Sequence, residues 1–289
     1  MTYIGFLIQF LVIPLIVLIV FTWWYEHWGR PVPEFHNGRM VWVAISLYAL
    51  LAVLYTTPWD NYLVATGVWY YHPKLISGLI LGWVPIEEYT FFVLETVLTG
   101  LWWWLLTRKF IPSVGFKPGK KLRLALPVIL GMVWLGGLYV LISGWKPGTY
   151  LSLILLWALP AIAIQLVFGA DILWHYRKLL VWAILPVFLY LSVVDSLGIS
   201  SGTWTIDPLQ STGIFIGKLP VEEAVFFLVT VTLISFGLTL TLSRASQVRW
   251  MSWRRGWFSG QDAPHLLERL GIKREALVSS NPTDPLPPH

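Results

Sequence analysis

The chain contains no cysteine. That excludes disulfides, thiolate metal sites and cysteine nucleophiles. Charge is also scarce: 12% of the 289 residues are Asp, Glu, Lys or Arg, against 56% apolar. This is about half the charged fraction of an ordinary soluble domain. Chemistry-bearing motifs are missing too. No Asp-rich stretch would hold Mg²⁺ on a diphosphate, and no glycine-rich nucleotide fingerprint opens a strand–helix unit. The six histidines, His27, His36, His72, His175, His265 and His289, do not cluster at ligand spacing, so no metal site is expected. A retinal-type Schiff base needs a Lys deep in the last span, and Lys218 lies at its edge.

What is present is apolar sequence in long runs. Seven spans are expected, at about 3–24, 40–58, 79–106, 122–142, 149–168, 178–194 and 213–242, each near the ~20 residues that cross a bilayer as a helix. Helices are the expected form, because backbone groups in lipid must pair internally. Lys and Arg gather in alternate connections: Arg30 and Arg39, then the run from Arg108 to Arg123, then Arg177 and Lys178, then Arg244 onward. The positive-inside rule then puts the N-terminus outside and the C-terminus in the cytoplasm of a cell-membrane protein. The net charge of +5 points to anionic lipid headgroups, chiefly at the tail, and not to nucleic acid.

One stretch occurs twice. Residues 60–92 align without a gap on residues 195–227, an offset of 135. Asp60 matches Asp195, Gly67 matches Gly202, Trp69 matches Trp204, and Gly82 matches Gly217. Pro85-Ile86-Glu87-Glu88 with Phe91 and Phe92 matches Pro220-Val221-Glu222-Glu223 with Phe226 and Phe227. Such a repeat governs the architecture. The copies occupy corresponding positions in two parallel three-helix repeats joined by a linker helix, a 3+1+3 all-α polytopic arrangement. The site is expected between the halves. The boundaries are 1–107 for the first repeat, 108–148 for a basic loop and linker helix, and 149–242 for the second repeat. Residues 243–289 form a basic, aromatic cytoplasmic tail, partly disordered, with a short amphipathic helix over 265–278.

A Pro-x-Glu-Glu motif is also how a helix begins, with Pro in the first turn and acids against the positive dipole end. Three features point further. The motif lies several residues inside an apolar run, it recurs, and acids at membrane depth usually face a cavity. Burial and a second carboxyl nearby favour the neutral acid, while the helix dipole opposes them. Phe91 and Phe92 share a face with Glu88, as Phe226 and Phe227 do with Glu223. An acid beside aromatic rings suits protonation of an apolar substrate, and ordinary helix packing fits the same spacing. Glu95, seven residues after Glu88, has Thr230 as counterpart; it relays protons or is a tolerated polar group. Asp60 and Asp195 polarise the Glu pairs or cap a turn. The ~20-residue link that follows each Asp is a lid over the site or an interfacial turn with Trp69 and Trp204 at headgroup level.

These residues resemble a known family, the integral-membrane carotenoid cyclases, and within it the lycopene beta-cyclases of the fused two-repeat type. The resemblance rests on Thr57-Pro58-Trp59-Asp60-Asn61-Tyr62, Gly67-Val68-Trp69 and Val84-Pro85-Ile86-Glu87-Glu88-Tyr89 in the first half. In the second it rests on Asp195, Gly202-Thr203-Trp204 and Leu219-Pro220-Val221-Glu222-Glu223-Ala224. It covers residues 1–242. It implies redox-neutral, acid-catalysed cyclisation of lycopene or a related acyclic carotenoid, with no cofactor. Other enzymes of the carotenoid pathway are implied as partners. Glu87 and Glu222 would be the central acids, with Glu88 and Glu223 supporting. Two other readings stay open: a 3+1+3 membrane carrier, which should show polar walls in both halves, and a carotenoid-binding or hydratase-type protein. Glu95 stands where the family leads one to expect an uncharged amide.

Overall fold

The computed structural model describes residues 1–28, 38–110, 112 and 115–257. Among them, seven helices are long and apolar enough to cross a membrane, and the chain is an all-α polytopic membrane protein. Met1–Ser246 form one compact unit, distinct from the residues that begin at Gln247. The first span runs through α1 (Tyr3–Leu7), a π-helical stretch (Ile8–Val12) and α2 (Ile13–Trp28). It is followed by α3 (Gly38–Ala65), α4 (Ile86–Thr107), α5 (Lys120–Ile142), α6 (Thr149–His175), α7 (Arg177–Ser200) and α8 (Val221–Leu242). A further helix, α9, covers Arg244–Trp257. The amphipathic helix expected over 265–278 lies outside the described residues.

The innermost helices are α4 and α8. Of the apolar window in each, 61% and 67% is buried, against 6% for α5, which packs against α6. The two helices that carry Pro-x-Glu-Glu are thus the ones most shielded from lipid.

Both of these helices start later than the apolar runs suggest. Residues 79–85 and 214–220 are not helical. They form tight hairpins, β2 (Ile80–Leu81) with β3 (Val84–Pro85), and β5 (Phe215–Ile216) with β6 (Leu219–Pro220). Pro85 and Pro220 are the N-cap residues, in extended conformation (φ −69°, ψ 150° and φ −59°, ψ 142°). Lacking an N–H, a proline there removes one of the unpaired donors at the helix start. The first N–H of each helix is taken up by its own hairpin, Ile86 N to Leu79 O and Val221 N to Ile214 O, both 2.9 Å. The Glu pairs therefore sit in the first turn, as the plain helix-start reading of Pro-x-Glu-Glu has it. The hairpins nonetheless turn Leu79, Ile80, Leu81 and Trp83 outward, as they do Ile214, Phe215 and Ile216, all more than half exposed. That apolar surface suits lipid.

The links preceding the hairpins meet each other. Strand β1 (Trp69–Tyr71) pairs antiparallel with β4 (Trp204–Ile206), with Tyr70 opposite Thr205. Those two are equivalent positions of the repeat. Outside the ladder, His72 N donates to Thr203 O (3.1 Å) and Asp207 N to Val68 O (2.8 Å), again equivalent pairs. An antiparallel ladder centred on one equivalent pair is the local mark of a twofold relation between the links.

The hairpins are not held alike. Asn61 Oδ1 accepts from Trp83 N at 2.7 Å, its Nδ2 donates to Tyr89 Oη at 3.0 Å, and Tyr89 donates to Leu81 O at 2.9 Å. The counterparts Ser196 and Ala224 cannot repeat this latch. Gly82 and Gly217, at the tips, both have positive φ (70° and 67°). A Cβ on Gly82 would stand 2.2 Å from Asn61 Oδ1, whereas one on Gly217 meets nothing. Gly217→Ala should therefore destabilise by about 1–2 kcal/mol from the left-handed backbone alone. Gly82→Ala should lose about 1 kcal/mol more with the Asn61 bond. Thermal unfolding in detergent checks this; equal losses would mean that the latch contributes nothing.

Candidate active site

The two Glu of each pair do different things. Glu87 Oε1 accepts from Ser77 N at 2.5 Å. Its counterpart Glu222 Oε1 accepts from Thr212 N (2.6 Å) and Thr212 Oγ1 (2.7 Å). Each therefore ties the link, ten residues upstream, to the helix start. Their other oxygens, Glu87 Oε2 and Glu222 Oε2, are buried without a hydrogen-bond partner. Neighbouring positions on a helix point about 100° apart, so Glu88 and Glu223 turn inward instead.

There they share a cavity. It is lined by Tyr3, Trp69, Tyr71, Glu88 and Phe91 from the first half and by Asp195, Trp204, Glu223, Phe226 and Phe227 from the second, and encloses about 30 Å³. That leaves room for a few water molecules at most. Glu88 Oε2 accepts hydrogen bonds from the hydroxyls of Tyr3 and Tyr71, the latter at 3.0 Å. Glu223 Oε1 accepts from the Tyr150 hydroxyl at 2.7 Å. Burial, then the Glu88 charge, hold the Tyr71 hydroxyl well above the ordinary phenol range, so it remains a donor. The first-turn residues Tyr3 and Tyr150 are themselves fixed through the links, by Tyr3 N to Leu75 O (2.7 Å) and Tyr150 N to Gln210 O (3.0 Å).

The aromatic residues close the walls. Phe91 meets Phe227 edge-on at 6.1 Å between centroids, Tyr3 lies 5.0 Å from Trp204, and Trp69 meets Tyr150 at 5.6 Å. Trp69 and Trp204 are buried, pointing into the site from the paired links and not outward. The aspartates, near the C-terminal ends of α3 and α7, differ. Asp195 Oδ1 accepts from Trp204 Nε1 at 3.1 Å. Asp60 is fully buried with both oxygens unpartnered, and Trp69 Nε1 is unpartnered too.

Glu95 is not among the cavity walls. With Tyr48, Tyr55, Phe92, Trp157, Gln165 and Thr230 it lines a groove of about 250 Å³, between α3, α4, α6 and α8, that shares the Phe226 wall with the acid cavity. Its Oε1 accepts from Thr230 Oγ1 at 2.7 Å, so Glu95 touches its own counterpart in the sequence repeat.

The structure thus gathers Glu88, Glu223, Phe91, Phe226, Phe227, Trp69, Trp204 and Asp195 around one space. It leaves Glu87 and Glu222 behind the wall and Phe92 and Glu95 on the groove. Three tyrosines that sequence reasoning missed, Tyr3, Tyr71 and Tyr150, supply the hydrogen bonds to the inward acids. A signal existed for two of them: Tyr3 and Tyr150 each open a span that precedes a repeat copy.

The arrangement is that of a polytopic helical membrane protein enclosing a pair of equivalent carboxyl groups in an aromatic-walled cavity. The comparisons narrow this class. Residues 33–106 and 147–242 match the family model described as lycopene cyclase, and the chain belongs to that family. It is 39% identical to the lycopene beta-cyclase of Halobacterium salinarum over 197 residues, covering 68% of this chain and 81% of the archaeal protein. It is 36% identical over 217 residues to the bifunctional lycopene cyclase/phytoene synthase of Podospora anserina, and 35% identical over 204 residues to that of Aspergillus oryzae. It spans about a third of the length of those fungal proteins. No solved structure matches.

The clamp has a measurable consequence. Glu222→Ala leaves the Thr212 N–H and hydroxyl without their acceptor and should destabilise by about 1–3 kcal/mol. Glu222→Gln keeps a carbonyl acceptor and should lose far less. Thermal unfolding and amide exchange at Thr212 report both; indistinguishable variants would rule out the clamp.

Proposed function

We propose that this protein cyclises the open ends of lycopene, or of a closely related acyclic carotenoid, to β-ionone rings. It does so as an isomerase-class enzyme, by adding one proton and removing another. Family membership and the archaeal relative's name support the substrate class. The observation that carries the mechanism is that Glu88 and Glu223, equivalent residues of the two halves, line a single aromatic cavity.

The chemistry follows from that cavity. A protonated carboxyl adds H⁺ to C2 of the terminal C1=C2 double bond, leaving a tertiary cation at C1. The C5=C6 pair attacks C1 and closes the six-membered ring, moving the cation to C5. A carboxylate then removes the C6 proton, and the C–H pair becomes the ring double bond. Atoms and electrons balance without an oxidant, so the step calls for no redox cofactor. Phe and Trp faces around the cavity stabilise the passing cation, by about 0.5–2 kcal/mol for each well-placed ring. A site with room for so little water limits capture of the cation by water, which favours ring closure over hydration.

In this reading Glu88 and Glu223 handle the protons, while Glu87 and Glu222 hold the links. Asp60 and Asp195 polarise the site from the ends of α3 and α7. The groove beside Phe226 receives the polyene chain, which is as apolar as most of its lining. The cavity is too small for a ring-forming end, so the paired links and their Trp side chains move apart to admit it. The architecture is two three-helix repeats, 1–107 and 149–242, around linker α5. The N-terminus is outside and the C-terminus cytoplasmic, the basic tail lying on anionic lipid beside other enzymes of the pathway.

Expression in a bacterium that accumulates lycopene tests this. Wild-type protein should convert the red pigment to a cyclic carotene of unchanged mass. Glu88→Gln and Glu223→Gln should each lower turnover by at least about 100-fold, the scale of general acid–base catalysis. Glu87→Gln and Glu222→Gln, which retain an acceptor for the link, should keep measurable activity. Unaltered lycopene with the wild-type protein in the membrane would overturn the reading. Full activity in either inner-acid variant would remove that residue from the mechanism.

A further inference from the structure

The hydrogen bonding to the two inward acids differs by one phenol. Glu88 receives two phenol hydroxyls on the same oxygen, from Tyr3 and Tyr71. Glu223 receives one, from Tyr150. Tyr3 and Tyr150 are matched, but the repeat counterpart of Tyr71 is Ile206, which offers no hydrogen bond. Tyr71 lies on β1, opposite Trp204 in the ladder, and so is held over the site by backbone pairing.

Hydrogen bonds that end on a carboxylate favour its charged form, and they count for more in an enclosed site of low dielectric. An oxygen taking two O–H groups has both lone pairs engaged. Glu88 Oε2 is in that state, which leaves Oε1 of the same carboxyl as the atom with capacity for an incoming proton. Two anchors also fix the plane of this carboxyl more tightly than one fixes that of Glu223.

Granting the cyclase reading, we infer that the two acids are not interchangeable: Glu223 gives the proton that starts ring closure, and Glu88 takes the proton that ends it. The C1=C2 pair of the substrate forms the new C2–H bond with the Glu223 proton. The C5=C6 pair forms C1–C6. The bond broken last is C6–H, whose electrons become the ring double bond while its proton passes to Glu88. Each turnover leaves Glu223 ionised and Glu88 protonated; Glu88 then loses its proton to solvent and Glu223 regains one from solvent, which resets the pair.

The assignment has a chemical consequence beyond rate. A cation at C5 has three kinds of neighbouring hydrogen. Loss from C6 gives the β ring, loss from C4 the ε ring, and loss from the C5 methyl an exocyclic double bond. Which one leaves depends on where the accepting oxygen stands. Tyr3 and Tyr71 are therefore positioning residues that set the ring type through Glu88, while Tyr150 acts on the donor and touches only the rate.

Tyr71→Phe and Tyr150→Phe remove one hydroxyl each and keep the ring. Ring type is read by chromatography and proton NMR of the pigment from lycopene-accumulating cells, normalised to the protein in the membrane. Tyr71→Phe should keep ring closure within about threefold of wild type and add ε or exocyclic products to the β ring. Tyr150→Phe should slow turnover about tenfold, equivalent to ~1.4 kcal/mol of barrier, with the β ring unchanged. Glu88→Asp and Glu223→Asp repeat the comparison with a shortened acid, and only the first should alter ring type. The reverse pattern, or the same products from both members of each pair, overturns the assignment while leaving the cyclase reading intact. Failure of the wild-type protein to cyclise removes both.

Discussion

A carboxyl group buried in a membrane fold is costly unless it is satisfied locally, because neither lipid nor an aromatic wall offers it a partner. Four such groups open α4 and α8, and much of the surrounding structure answers them. Glu87 and Glu222 are met by backbone N–H groups of the links, and thereby fold those links back over the helix starts. Glu88 and Glu223 are met by phenols from α1, β1 and α6. The links, once folded back, pair with each other as β1 and β4. The acids thus organise the links and the walls of the cavity they face.

The duplication makes the economy of this arrangement visible. In each copy one Glu of the pair holds the link and the next faces the cavity, and the outer contacts of each half repeat residue for residue: Ser77 with Glu87 as Thr212 with Glu222, Leu75 with Tyr3 as Gln210 with Tyr150. The departures from symmetry fall at the centre. Tyr71 against Ile206, Glu95 against Thr230, and a Trp–Asp bond on one side alone break the equivalence around the cavity. A reaction that needs a proton donor and a proton acceptor at the same end of a substrate has use for such a break. A carrier for a polar solute would need polar walls, and the groove of about 250 Å³ is mainly apolar and aromatic.

The seven spans were legible in the sequence because hydropathy over ~20 residues is a strong signal. So were the recurrence of the acids and the family. The starts of α4 and α8 were not. Leu79 to Val84 and Ile214 to Leu219 are short apolar runs, and such runs do not distinguish strand from helix by periodicity. Gly82 and Pro85 were the available marks of a turn and a boundary. Nor could the sequence rank two adjacent glutamates, since which side of a helix faces the cavity depends on the rotation that packing imposes. That is why the sequence did not show that Glu87 and Glu222 accept hydrogen bonds from the links while Glu88 and Glu223 line the cavity, and why Tyr3 and Tyr71 went unnoticed. Their part depends on contacts 85 and 17 residues away.

The central claim is that ring closure is a proton relay between carboxyl groups with no change in oxidation level. The most direct measurement is the deuterium content of the cyclic product formed by membranes in D₂O from unlabelled substrate. The account predicts one non-exchangeable deuterium per ring, on the carbon that receives the proton, and no other change in mass. A cyclic product with no deuterium, or one lighter by two hydrogens, would contradict it.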